Sequence, residues 1–347
     1  MKRIKPTENA RLGVALPLFD VEQEFISKLN CETTIFLGNV QTVSSCLRCP
    51  DAPCIKFSTS EIDRPLSIAA PTAPDPSVCP SSAIFQKTDG HIEIVEDLCI
   101  GCGLCVQRCP VGSISLHPES AIAQVASFDA NQYDLHEIDL AIFKEKRDEI
   151  SRLKKKEGAP FGDASFVQIQ LVRLMEVLPS VNSQKVFRLL TRNAFLMLGL
   201  PARLKNPGDN NAVAELVVGL HDALIFFELE PNGDTLDALR RTLTGHAAAR
   251  KIPDLQSSEI LSCIVVDRLP NTRVDFYEVI KNVNSRIGLP VSTLPLAALL
   301  LGVRSGDKKL TDFISESARV SVDNPTLEAS VGELWGEVTD AGLRAAK

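Results

Sequence analysis

Cys99-Ile100-Gly101-Cys102-Gly103-Leu104-Cys105-Val106-Gln107-Arg108-Cys109-Pro110 is the stretch that decides the first half of the chain. Three thiols at x2 spacing and a fourth after x3, closed by proline, form a local ligand set. A chain can wrap a cube of iron and sulfide only with tight turns whose backbone N–H groups face the sulfides, and Gly101 and Gly103 permit such turns. Upstream lies a modified set, Cys46-x2-Cys49-x4-Cys54, followed after 24 residues by Cys79-Pro80. Zinc also takes four cysteines, but C-x2-C-x2-C is awkward for it and favours iron–sulfur. The prolines after Cys79 and Cys109 end the ligand loops, and short elements are expected at Ile84-Phe85 and at Ile114-Ser115-Leu116.

Over residues 35–117 these motifs resemble the enlarged ferredoxin modules of oxidoreductase electron-transfer subunits. The resemblance implies two 4Fe-4S clusters, with the fourth cysteine of each set crossing to the other cluster. It therefore implies Cys46, Cys49, Cys54 and Cys109 on one cluster, and Cys99, Cys102, Cys105 and Cys79 on the other. This sequence departs from the pattern in the x4 spacing and in the long insertion before Cys79. Cys31 and Cys263 have no partner spacing and read as buried thiols.

Eight of the ten cysteines fall between Cys46 and Cys109, too clustered for scattered disulfides. With no export signal legible, this spacing places the protein in a reducing cytosol, where thiolates stay available to metal. The 347 residues allow two or three domains. A net charge of -7 gives no globally basic surface for nucleic acid. The longest apolar run, 294–303, is broken by Pro295 and Gly302 and is too short for a membrane span.

Outward from the cysteines, 65–82 is rich in proline and serine and reads as loop. Residues 131–156 are strongly charged, with Leu140, Phe143, Ile150 and Leu153 at helical intervals, and predict a connecting helix. Helices are expected over 166–178, 184–198, 235–251 and 275–287, with another Leu-rich helix ending at 303. Strands are expected over 202–205, 213–220, 223–230, 260–267 and 291–294. The division expected is 1–119 two-cluster domain, 120–180 linker helix and connecting helix, 181–305 α/β domain, and 306–347 helical tail.

In the α/β part, Glu215 lies on one strand and Glu228-Leu229-Glu230 on the next. Alternation in a strand puts Glu228 and Glu230 on one side, and carboxylates gathered there supply the oxygen ligands that Mg2+ prefers. Over residues 181–300 this order resembles the restriction-endonuclease-like PD-(D/E)xK fold. The resemblance implies a magnesium site on Glu215, Glu228 and Glu230, in an E-x-E variant that lacks the usual lysine. The alternative is that these glutamates are solvated strand ends, although acids beside Ile225, Phe226 and Phe227 are costly to bury without a metal or a basic partner.

Arg240 and Arg241, on the helix that follows, are candidate phosphate contacts for DNA or RNA. A solvated basic helix face is the alternative. His221 and His246 read as turn and helix-surface residues.

The expected architecture is a multidomain α+β and α/β chain: a ferredoxin-like two-cluster domain, a linker helix and an α/β endonuclease-like domain. The functions that follow are a Mg2+-dependent nuclease fused to an iron–sulfur module, or an electron-transfer subunit whose second domain docks a redox partner. No G-x-G-x-x-G follows a strand, which argues against an intrinsic flavin reductase.

Overall fold

The computed structural model describes residues 14–15, 36–37, 46, 49–64 and 66. It also describes 75–125 except 89, 111 and 118, and 164–305 except 181, 182, 207, 210, 211, 221, 222, 232, 257, 272, 273 and 290. The expected linker helix at 131–156, Cys31, His221 and the tail 306–347 lie outside the described residues. Contacts divide the chain into two units, one formed by residues up to Phe57 with Ser77–Gln170, the other by Ser58–Pro76 with residues from Leu171 onward.

In the first unit two antiparallel hairpins follow the two Cys-Pro corners. Strands β3 (Ile84–Gln86) and β4 (Ile92–Ile94) pair after Pro80, and β5 (Ile114–Leu116) and β6 (Ala123–Val125) pair after Pro110. Earlier, β1 (Val14–Ala15) pairs antiparallel with β2 (Phe36–Leu37). Ile84, Ile92, Ile114 and Leu116 bury one side of the hairpins together with Ile100, Leu104 and Val106. Gly101 and Gly103 both adopt positive φ, at 70° and 78°, the left-handed backbone that glycine adopts without strain. Gly103 then caps the short helix α2 (Leu104–Arg108). The first described helix, α1 (Thr59–Ile62), belongs to the insertion before Cys79.

The second unit is built on a five-stranded sheet in the order β11-β10-β9-β8-β7. Its strands are β7 (Ala202–Leu204), β8 (Leu216–Gly219), β9 (Ala223–Glu230), β10 (Glu259–Val266) and β11 (Val291–Pro295). β7, β8 and β9 run antiparallel, whereas β9, β10 and β11 are parallel, as their helical crossovers require. Two helices enter the unit, α3 (Ala164–Val177) from its middle onward and α4 (Ser183–Met197); the crossovers are α5 (Thr235–Ala249) and α6 (Phe276–Asn282), and α7 (Leu296–Ser305) follows the last strand.

Alternation along β9 sorts its side chains between two layers. Phe227 faces α4, its ring centroid 4.8 Å from that of Phe195. Leu224 and Phe226 face the other way, into a cluster with Val217, Ala249, Leu255 and Ile260. Glu228 and Glu230 continue this second face in phase. Helix α5 lies close because Gly245 leaves room: a Cβ there would stand 1.9 Å from the Val213 carbonyl oxygen.

Beyond shifts of one or two residues at element ends, three features differ from expectation. The strand expected from 213 begins at Leu216, since 213–215 is the irregular segment under Gly245. The helix over 275–287 changes into a π turn, Val283–Ile287, before Gly288 at φ 71°. The proline-rich insertion is not simply a loop of the first unit. Within the second, Leu66 packs against the Val217–Phe226 cluster, Arg64 donates to the Gly199 carbonyl, and Arg203 Nη2 donates to the Arg64 carbonyl at 3.4 Å.

Candidate metal centres

Cys46, Cys49, Cys54 and Cys109 line one pocket, whose remaining walls include Ala52, Pro53, Ile92 and Ile114. Burial pushes the Cys54 thiol well above its usual range, reinforced by Cys109, Cys49 and Cys46 in that order. Cys105 is pushed up in the same way, by burial and then by Cys102, Cys79, Cys99 and, last, Cys54. Cys109 thus lies with the three upstream thiols around one pocket, and Cys79, Cys99 and Cys102 lie near Cys105. Thiols crowded in an apolar setting resist ionising unless a cation replaces their protons, and this donor chemistry fits a metal cluster.

The Cys-Pro corners share a device that spacing did not reveal. The Ala83 N–H donates to Cys79 Sγ at 3.2 Å, and the Ser113 N–H donates to Cys109 Sγ at 3.2 Å. Each donor lies four residues after its cysteine, and each sulfur also meets a serine hydroxyl, Ser81 at 3.5 Å or Ser113 at 3.1 Å. A matching Cys-Pro at the two sites was the signal available. The Ala123 N–H reaches Cys99 Sγ at 3.4 Å.

The x4 insertion of the first set is held from outside. Arg108 donates through Nε to the Pro53 carbonyl at 2.6 Å and through Nη2 to the Lys56 carbonyl at 3.1 Å. Its guanidinium lies 4.4 Å from the Phe57 ring centroid.

In the second unit Glu215, Glu228 and Glu230 are all buried. Leu216 pairs with Phe227, so Glu215 falls opposite Glu228 on the same sheet face, and Glu230 follows two residues on. Arg241 donates through Nε to Glu228 Oε2 and through Nη2 to Glu230 Oε2, both at 3.1 Å, while Nη1 bonds Asp237. Burial and the Glu215 charge raise the Glu228 carboxyl above its usual range, against the pull of Arg241 and Lys205. Burial pulls Arg241 down, but Glu228, Glu230 and Asp237 outweigh it and raise it.

These contacts correct the expectation for Arg241. It points inward as counter-charge to the strand acids, because buried carboxylates need a cation, and is not placed to meet phosphate. Arg240 is exposed and bonds Asp237 at 2.7 Å. For a magnesium ion the fit is divided: Glu215 Oε2 is buried with no hydrogen-bond partner among the described residues, whereas the Arg241 fork engages the other two acids. His246 is half-buried, its Nδ1 3.1 Å from the buried Ser262 hydroxyl. Cys263 is buried, which pushes its thiol up to about 12.

Residues 92–115 match the family described as the 4Fe-4S binding domain, and the chain carries a ferredoxin-type domain of that kind. It is similar to a ferredoxin of Methanocaldococcus jannaschii, 49% identical over 49 residues, 14% of this chain and 29% of that one. It is similar to an iron-sulfur protein of Rhodospirillum rubrum, 36% identical over 81 residues, 23% of this chain and 31% of that one. A third relative is the thiosulfate reductase electron transfer subunit of Salmonella typhi, 29% identical over 87 residues, 25% of this chain and 34% of that one. The chain spans about a third of the length of these curated relatives. Restriction endonuclease FokI aligns with a TM-score of 0.33 and 12% identity, over 66% of this chain and 40% of that one, a likeness too slight to bear on function. Among the described residues no helix is long and apolar enough to cross a membrane.

Proposed function

We propose that this chain is an electron-transfer protein that holds two 4Fe-4S clusters and passes single electrons to or from a protein redox partner, in the cytosol. The observation that carries this reading is the proximity of Cys109 to Cys46, Cys49 and Cys54 around one pocket, and of Cys79, Cys99 and Cys102 to Cys105, which supports two crossing ligand sets. The clusters, when bound, supply the electron chemistry. The chain's own part is to furnish eight thiolates, to exclude water with Ile92, Ile100, Leu104 and Ile114, and to direct the Ala83, Ser113 and Ala123 N–H groups at ligand sulfurs. The matched 4Fe-4S family and the relatives named as ferredoxin and electron transfer subunit support it. Anaerobic purification with iron and sulfide analysis tests it: eight of each per chain, reducible in two one-electron steps, is expected. Zinc, or four irons after full reconstitution, overturns it.

A second reading, a Mg2+-dependent nuclease of the E-x-E kind on Glu215, Glu228 and Glu230, draws on one observation, the buried Glu215 Oε2 beside Glu228, which has no hydrogen-bond partner among the described residues. Arg241 weighs against it. Cleavage of single- and double-stranded DNA and RNA, with and without magnesium, in wild type and Glu228→Ala decides between them: activity lost in the variant supports the nuclease, and equal activity, or none in either, removes it.

A further inference from the structure

Two polar residues of the first unit are buried among the described residues, Ser113 and Gln170, and both serve a ligand loop. Ser113 bonds the Cys109 sulfur. Gln170, fully buried on α3, donates through Nε2 to the carbonyl of Gly101, inside the Cys99-Ile100-Gly101-Cys102 turn. Its Oε1 is buried with no hydrogen-bond partner among the described residues. Burying a primary amide that is only half satisfied costs about 1–3 kcal/mol, and an apolar side chain would fill the position without that cost. Its bond to the Gly101 carbonyl therefore invites a role.

Covalent geometry supplies that role. The peptide between Gly101 and Cys102 is planar and trans, so its C=O and N–H point in opposite directions. A carbonyl anchored on Gln170 turns the Cys102 N–H away from Gln170, within a turn that Gly101 enters at a left-handed φ of 70°. Hydrogen bonds to cluster sulfurs stabilise the more negative, reduced state and so raise its potential.

We propose that Gln170 is a positioning residue for the second cluster, locking the Gly101–Cys102 peptide so that its N–H faces that cluster's sulfur. The inference rests on the two-cluster reading of Cys79, Cys99, Cys102 and Cys105, and deepens it by assigning an outer-shell residue to one cluster alone.

The test is an EPR-monitored redox titration of the full-length holoprotein in wild type, Q170L and Q170E, each first analysed for iron, with the waves assigned by the one that Cys79→Ser loses. Q170L keeps an apolar, near-isosteric side chain but cannot donate. It should lower the second cluster's reduction equilibrium about tenfold, a fall of 59 mV for one electron, and leave the first cluster in place. Q170E is isosteric, and at this fully buried position it is protonated and donates as the amide does, so it should titrate near wild type. A Q170L titration that matches wild type, or one in which both clusters move together, overturns the proposal. Four irons in the wild type instead overturn the two-cluster reading, and this inference with it.

Discussion

The guanidinium of Arg108 lies over the ring of Phe57, 4.4 Å from its centroid, while its nitrogens hold the carbonyls of Pro53 and Lys56 on either side of Cys54. One side chain from the second ligand run thereby fixes the enlarged loop of the first. Charged hydrogen bonds contribute about 1.5–3 kcal/mol, and a cation–π contact on a buried ring adds at least about 0.5–1 kcal/mol. Arg108→Ala should therefore loosen residues 53–57 by roughly 2 kcal/mol, read as faster amide exchange there and faster iron loss to a chelator from the first cluster only. Unchanged exchange would mean that the x4 loop holds itself.

Cys79→Ser and Cys54→Ser should damage different clusters, although both residues lie in the upstream half of the module. Cys79→Ser should impair the cluster of Cys99, Cys102 and Cys105, and Cys54→Ser that of Cys46, Cys49 and Cys109. EPR of the reduced variants distinguishes them, and loss of the same signal in both would reject the crossing.

Arg241→Gln leaves Glu228 and Glu230 buried without their shared cation. Losing one partner of a buried pair costs about 3–5 kcal/mol, and since Arg241 is a third exposed the expected loss at pH 7 is nearer 2 kcal/mol. The raised Glu228 carboxyl fixes the sign with pH. The native state holds that proton more tightly, so this contribution is full below the ordinary carboxylate range and is lost as pH rises through the native value. The variant's deficit should shrink between pH 7 and pH 4 in urea titrations, and a deficit independent of pH would contradict the ion-pair account.

Gly245→Ala sets two effects against each other. Alanine favours a helix interior by about 1 kcal/mol, but its Cβ would meet the Val213 carbonyl oxygen at 1.9 Å, a backbone atom that cannot rotate away. Overpacking of this kind costs about 1–3 kcal/mol, and displacing α5 would also pull Arg241 off the strand acids. A lower urea midpoint is expected; a higher one would show that helix propensity wins.

His246 should titrate below its ordinary value near 6.5, because burial and then the neighbouring Arg250 disfavour its cation. For a base lowered in this way, stability is full above the unfolded value and falls as pH drops through it toward the native one. NMR titration of the imidazole measures the midpoint, which Arg250→Ala should raise.

The turns of the Cys99 to Cys105 run were legible because ligand spacing is a local property: Gly101 and Gly103 stand there with positive φ. The phase of Glu228 and Glu230 was legible too, since alternation along one strand needs no partner. The role of Arg241 was not, because which helical residue reaches a strand depends on how α5 is rotated against the sheet. Gly245, which admits that helix to the Val213 carbonyl, reads in the sequence only as a weak helix position. Leu66 was hidden for a different reason. The apolar residues near it, Ile62, Ile68, Ala69 and Ala70, are interrupted by prolines and show no helical or strand period, so nothing marked 58–76 as part of another core.

That segment affects how the protein can be made. A ribosome delivers 58–76 between Cys54 and Cys79 well before the sheet strands exist, so Leu66 and the Arg64 guanidinium emerge ahead of Phe226 and Gly199, which receive them. The second unit is thus discontinuous in synthesis: its earliest piece leaves the tunnel inside the metal-binding module and must stay available until its last strands follow. A gene cut after residue 119 would leave that piece without its sheet, and a gene begun at 171 would produce the sheet without one of its covers.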